Sequence, residues 1–395
     1  MRANSSIWRA MSRTQCLRGL GGKHCHAVSF GSGPRFQLPP SRCINPTVNT
    51  FRIRTYSSAE PKRVPETTFD ENSEAAAKVP IVETCPCQQE YESEIGVPDL
   101  KGLEIDTKSR LAGVITRHYR HVLIHTGTID WPKKIEDAQS APWNASGEDI
   151  TPIAANLKTL VSGKGFYADP FHPVLVTNTS LPINPSAAEE GHGTITVFPE
   201  GIEITSIPNK IDSLTSFVKS FLVAPSNALR PTESDRGTFS TKKITKPVIL
   251  TCSHGSRDER CGILGPAITA AFKEFLGNDK EVQAYGLDCI VGDVSHIGGH
   301  KFAGNVIIHL PGDHLLSKAI NAASTLAPQA FEMEGGSATV TPADGVSIWY
   351  GRVMPYHVAG IVRKTLLEGK IIQELLRGIN NSNGELVDLA SIGLK

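Results

Sequence analysis

The sequence predicts an α/β protein of two domains behind an amino-terminal presequence, the second domain having the strand order of a thioredoxin-like fold. Three observations lead there. A chain of 395 residues exceeds what one hydrophobic core usually organises. Short β-branched runs alternate with segments whose apolar residues recur every three or four positions. A polar stretch of 224–245, rich in Ser, Thr, Pro and charge, divides the chain and supplies the expected boundary, placed at 231–245.

The formal net charge of zero hides an asymmetry: the first 59 residues hold eight arginines, one lysine and no acid. Removing those nine leaves 31 basic against 40 acidic residues in the remainder. An arginine-rich, serine-containing, acid-free amino terminus reads as a mitochondrial transit peptide over residues 1–56, ending at Arg54-Thr55-Tyr56 before Ser57-Ser58. The matrix is the expected compartment, with the intermembrane space as second choice. A basic arm for nucleic acid is the alternative, and an acidic mature chain argues against a phosphate-backbone partner. No run approaches eighteen apolar residues, so no membrane span is expected.

Residues 57–97 mix charge, proline and alanine without apolar periodicity and read as a linker; it carries Cys85-Pro86-Cys87, a weak signal for a dithiol or metal pair. Five cysteines follow the presequence, an odd number that argues against a secreted disulfide framework. The sequons at Asn144 and Asn178 are common by chance.

Over 98–230 the first α/β domain is expected. Arg120 to His125 is expected as a buried strand running into the Thr126-Gly127-Thr128 turn, and Ile153, Leu157 and Leu160 mark one helix face. Val174 to Val176 is a second strand, Thr194 to Phe198 and Gly201 to Ile204 a hairpin, and Leu214, Phe217, Val218 and Phe221 a closing helix. His118, His121 and His125 lie close together but have no cysteine beside them, and read as satisfied or surface histidines.

The second domain, 246–395, is expected as strand 248–251, a polar loop, helix 263–276, strand 282–290, a loop, strands 304–310 and 346–353, and helix 355–368. A short helix over 371–376 would close it. Strand, helix, strand, two strands and a helix is the thioredoxin-like order. The first helix carries Leu264, Ile268, Ala271, Phe272 and Phe275 on one side, with Pro266 tolerated in its first turn.

The chemistry concentrates in 246–300. KPVILTCSHGSRDERCG holds Cys252 and Cys261 with eight residues between them, and VSHIGGHKFAGN holds His296 and His300 around Ile297, Gly298 and Gly299. Two thiolates and two imidazoles form a four-donor set of the kind that zinc and iron-sulfur clusters use. The paired glycines exclude a continuous helix through HIGGH and place both imidazoles on a tight loop. Cys289 reads as a core residue, His254 as a less favoured substitute ligand, and Arg257 to Arg260 as solvated loop.

With WYGRV (Trp349 to Val353) downstream, the TCSHGSRDERCG and HIGGHKFAGN segments resemble the sucrase/ferredoxin-like family of thioredoxin-like ferredoxins. The resemblance implies a 2Fe-2S cluster held by Cys252, Cys261, His296 and His300, a thioredoxin-like ferredoxin fold for 246–395, and electron transfer with partner redox proteins. Two thiolates and two imidazoles leave an oxidised 2Fe-2S core neutral, where four thiolates give it a charge of −2. Two-histidine Rieske centres lie at roughly −150 to +300 mV against about −400 mV for plant-type ferredoxins, so a potential above ordinary ferredoxins is expected. Each imidazole keeps a second nitrogen for a proton, so electron uptake is expected to be proton-coupled.

Two other functions compete. A thiol-disulfide oxidoreductase could cycle Cys85 and Cys87, or Cys252 and Cys261, but the chain lacks a Cys-x-x-Cys at a helix start. A structural zinc protein would use the same four residues. A hydrolase finds no Gly-x-Ser-x-Gly elbow.

Overall fold

A computed structural model describes residues 79–86, 96–137, 151–189, 191–224, 238–326 and 344–394. The expected presequence, Cys87 and residues 225–237 lie outside them. The described chain is mixed α/β and is built on a ten-stranded, mostly antiparallel sheet.

After a short strand β1 (Ile81–Val82), the first half runs β2 (Arg120–His125), α1 (Ile153–Val161), β3 (Val174–Thr179), α2 (Pro185–Glu189), β4 (His192–Phe198), β5 (Ile202–Pro208) and α3 (Ile211–Phe217), which continues as a π-helical turn to Leu222. The second half runs β6 (Thr241–Lys243), β7 (Val248–Cys252), α4 (Glu259–Asn278), α5 (Lys280–Tyr285), β8 (Ile290–Val294), β9 (Val306–Leu310), α6 (Leu315–Leu326), β10 (Val346–Tyr350), α7 (Val358–Ile361), β11 (Ile371–Ile372) and β12 (Leu376–Asn380). Strands stand in the order β12-β10-β9-β7-β8-β3-β2-β4-β5-β6, while β1 pairs separately with β11. Only β2–β3 and β7–β8 are parallel within the large sheet.

The two halves repeat one plan. In each, the first strand lies between its parallel successor and an antiparallel third strand, giving β3-β2-β4-β5 and β8-β7-β9-β10. They join edge to edge at Thr179 opposite Val294, whose own partners are His125 on β2 and Cys252 on β7. The register therefore makes His125 the counterpart of Cys252. Three strands separate β2 from β9, which would be about 19 Å in a flat sheet. Yet His121 Nδ1 lies 3.2 Å from His309 Nε2, and the Phe198 and His309 rings stack at 3.7 Å. The sheet is therefore bent so that the two halves face each other across an inner core containing Leu123, Leu250, Ile307 and Trp349. The outer faces are covered separately, by α1 and α3 on one half and by α4 and α7 on the other.

Four secondary-structure expectations change. The segment 282–290 is a helical turn before a strand, because Asp279 caps it by accepting from Glu281 N and Val282 N and Gly286 ends it at φ 65°. Residues 371–376 are extended: β11 pairs with β1, and β12 then adds to β10. Helix α4 begins at Glu259, which puts Cys261 in its first turn and Pro266 inside the helix. The unforeseen α6 buries Leu316 and Ile320 fully, at i,i+4 spacing. Asn178 lies buried in β3, out of reach of a glycan.

The apolar face read for α4 is real: Leu264, Ile268 and Phe272 are each fully buried against the sheet. Phe272→Ala is expected to lower stability by about 3–5 kcal/mol, read as a reduced urea midpoint with an unchanged slope.

Candidate metal centre

Strand β7 delivers Cys252 to the carboxyl end of the sheet, where the chain turns through Ser253 to Arg257 and enters α4. Asp258 caps that helix by accepting from Arg260 N at 3.1 Å, and its carboxylate also pairs with the Arg260 guanidinium at 2.8 Å. The segment expected as a solvated loop is thus a helix start. Gly255 and Gly262 meet backbone to backbone, since a Cβ on Gly262 would stand 2.5 Å from Gly255 Cα. That close approach brings the two thiols within hydrogen-bond reach. Cys252 and Cys261 are both buried and both free.

The pair shares a proton unevenly. The Cys261 S–H donates to Cys252 Sγ, with the backbone N–H groups of His254 and Ile297 adding to it, and Cys252 is shifted toward the thiolate. The neighbouring sulfur and burial push Cys261 the other way. Ile297 belongs to the histidine loop, so the two motifs meet at this sulfur.

The histidine loop runs from β8 to β9. Gly298 and Gly299 both take positive φ, 81° and 68°, and turn the chain so that the His296 and His300 rings stand 5.4 Å apart. Burial, then the positive charge of Arg257, hold His296 down at about 4, which keeps its imidazole neutral at physiological pH. His300 is about half exposed, with Nε2 4.0 Å from Asp258 Oδ2. Among the described residues no three His, Cys, Asp or Glu side chains converge as a single metal ion would require. The donors stand instead as a cysteine pair and a histidine pair on adjoining loops.

Several groups support these loops, of which His254 was singled out from the sequence, as a substitute ligand, while Asp130, Asp293 and Thr116 were not. His254 Nδ1 accepts from His296 N at 3.1 Å, so its Nε2 carries the proton and donates to Trp131 O and Pro132 O, each at 2.9 Å. Both ring nitrogens are thereby engaged. Asp130 accepts from Ser256 N and Oγ at 3.1 and 3.0 Å, so a loop of the first half clamps the cysteine loop. Asp293, buried in β8, accepts from Ser253 Oγ at 2.6 Å and Thr269 Oγ1 at 2.8 Å, fixing the loop to α4. Thr116 Oγ1 donates to Ile297 O at 3.1 Å. The contacts from Trp131 and Pro132, from Asp130 and from Thr116 join residues more than a hundred positions apart, and only the folded sheet brings them together.

The other candidates are placed elsewhere. Cys85 is buried against Tyr350 and His357, and Cys289 packs beside the α4 core. His118, His121 and His125 are buried and hydrogen-bonded to Thr116 O, to Thr177 and His309, and to Pro182 O and Thr196.

The family model described as sucrase/ferredoxin-like matches residues 111–378, a span that contains both pairs and every supporting group just named. The chain belongs to the sucrase/ferredoxin-like family. Among curated proteins it is similar to the altered inheritance of mitochondria protein 32 of Debaryomyces hansenii, 30% identical over 318 residues covering 75% of this chain and 96% of that protein. The protein of the same name from Clavispora lusitaniae is 32% identical over 226 residues, 53% of this chain and 65% of its own. That from Meyerozyma guilliermondii is 28% identical over 299 residues, 70% and 86% respectively. No solved structure matches. In this sucrase/ferredoxin-like chain the family span begins at Leu111, so the segment leading into Thr116 and β2 lies within it, and it ends at Gly378 inside β12.

Proposed function

We propose that this chain is a mitochondrial electron-transfer protein whose 246–395 region is a thioredoxin-like ferredoxin holding a 2Fe-2S cluster through Cys252, Cys261, His296 and His300. The observation that carries the reading is the meeting of the two loops at Cys252 Sγ, which takes an N–H from Ile297, between the two histidines. Two thiols and two imidazoles would suit either a 2Fe-2S cluster or a zinc ion, and the sucrase/ferredoxin-like family match favours the cluster. The order β8-β7-β9-β10 with α4 crossing between β7 and β8 supports the thioredoxin-like assignment. The names of the relatives and the acid-free amino terminus support mitochondria, with the matrix preferred. Among the described residues no helix is long and apolar enough to cross a membrane. Partner redox proteins remain the expected donors and acceptors.

When bound, such a cluster accepts and passes single electrons. The chain's part is to shift Cys252 toward the thiolate, to keep His296 neutral, and to leave the His300 ring about half exposed. Proton-coupled uptake gives a midpoint potential falling by about 59 mV per pH unit above neutrality; a potential flat from pH 6 to 9 would remove the coupling.

The test of the reading is an anaerobic visible spectrum of residues 57–395 with iron and zinc analysis, before and after dithionite. A brown protein with about two irons per chain that bleaches is expected. A colourless protein with one zinc would establish the zinc reading instead, and a metal-free protein with reactive thiols the oxidoreductase.

A further inference from the structure

Arg377, on β12, is 1% exposed. Its Nε donates to Val114 O at 3.0 Å, and its Nη1 to Gly298 O at 3.3 Å and Asn305 Oδ1 at 2.9 Å. All three acceptors are neutral. Among the described residues no carboxylate pairs with it, and the charged groups that act on it are Cys252 and Cys261. Its guanidinium carbon lies 5.9 Å from the ring centroids of both Phe302 and Trp349. Two glycines make room for it, since a Cβ on Gly299 would stand 2.3 Å from Nη2 and one on Gly351 2.7 Å from Cδ.

A buried guanidinium without an anion is costly, and single arginines of this kind are normally paired. Here the space, the three acceptors and the aromatic rings hold the charge in place while leaving it uncompensated by the usual carboxylate. Its hydrogen bond to Gly298 O also ties it to the turn that presents His296 and His300.

We propose that Arg377 is the built-in counter-charge of the centre: a fixed cation, held on Gly298 O and Asn305 Oδ1 under the histidine loop, that favours the reduced over the oxidised form of the group the centre holds. This inference rests on the proposed function. A fixed positive charge stabilises the state carrying one more electron, so it raises the midpoint potential.

Three variants separate charge from packing. Arg377→Lys keeps the charge and loses the fork, Arg377→Met removes the charge, and Asn305→Asp sets a carboxylate beside Nη1 with the arginine in place. The aspartate gives up the Asn305 Nδ2 bond to Gly299 O, an acceptor that Phe302 N still serves. Iron content and redox titration of the loaded protein are the two readouts, with thermal melts confirming the fold. Arg377→Met and Asn305→Asp are expected to keep their iron and to shift the oxidised-to-reduced ratio at least tenfold toward oxidised, about 59 mV lower for one electron, with Arg377→Lys close to wild type. Equal loss in Arg377→Lys and Arg377→Met, or an unmoved potential in Asn305→Asp, would reduce Arg377 to a packing role. If the wild-type protein binds no iron, the proposed function fails and this inference with it; iron bound with an unmoved potential overturns this inference alone.

Discussion

Cys252→Ser is expected to purify colourless, with iron falling from about two per chain to a tenth of that or less, while Cys85→Ser and Cys289→Ser keep the full complement. The contrast follows from position. Cys252 ends β7 where two backbone N–H groups and the Cys261 S–H converge on its sulfur, so the ligand atom is already aimed and shifted toward the thiolate. A serine there accepts the same hydrogen bonds and preserves the loop, but its hydroxyl stays protonated and is a poor donor to iron. Cys289 sits among apolar side chains whose burial pushes its thiol up to about 12, and Cys85 lies against the backbone of His357. Neither faces the histidine loop. Iron per chain across the three variants checks this; equal loss in all three would mean that serine damages the fold rather than the site.

Acidification is expected to destabilise the protein steeply well before its carboxylates titrate. His118 and His121 are buried against Trp349 and His309 against His121 and Phe198, and burial holds all three down, His118 at about 4 and the other two well below their ordinary value. Each is neutral when folded and takes up a proton near pH 6.5 when unfolded, so the unfolded chain binds more protons below that point. The stability is complete above pH 6.5 and is lost as pH falls toward the folded values. Between pH 7.5 and 5.5 each histidine contributes about 1.4 kcal/mol of loss, about 4 kcal/mol for the three. The shifted carboxylates lie below their ordinary range, so their contribution is lost only at lower pH, except Glu200, which burial raises. Urea midpoints at the two pH values measure the effect, and His309→Gln should remove about a third of it. A midpoint unchanged between pH 7.5 and 5.5 would show that these rings are not held neutral.

The parts of the fold carried by local pattern were legible. The β2 run, the Leu264, Ile268 and Phe272 stripe and the hairpin around Pro199-Glu200 each announce themselves within one window of sequence, and each is present. Where local pattern misled, a cap or a distant partner decided. Val282 to Ile290 alternates enough to read as a strand, yet Asp279 and Gly286 fix its first part as a helical turn. Ile371 to Leu376 has helix-like apolar doublets, but β1 and β10 offer unpaired edges that claim it. The same division holds at the site. Both donor pairs were visible because each sits within a few residues of its partner and beside glycine. Asp130, Asp293 and Arg377 were not, since an aspartate in a loop or an arginine in an apolar segment carries no local mark of what it will face. The repeat of strand order between the halves was also hidden, because its counterparts, His125 for Cys252 and Phe198 for His309, share a place in the sheet and no chemistry.

Pulsed electron paramagnetic resonance of the dithionite-reduced protein, prepared with 15N-labelled histidine, tests most directly that two cysteines and two histidines hold one cluster. Two strongly coupled imidazole nitrogens are expected, one of them lost in His296→Ala and the other in His300→Ala. A reduced cluster with no histidine coupling would contradict the ligand assignment and return the four-residue centre to its cysteines alone.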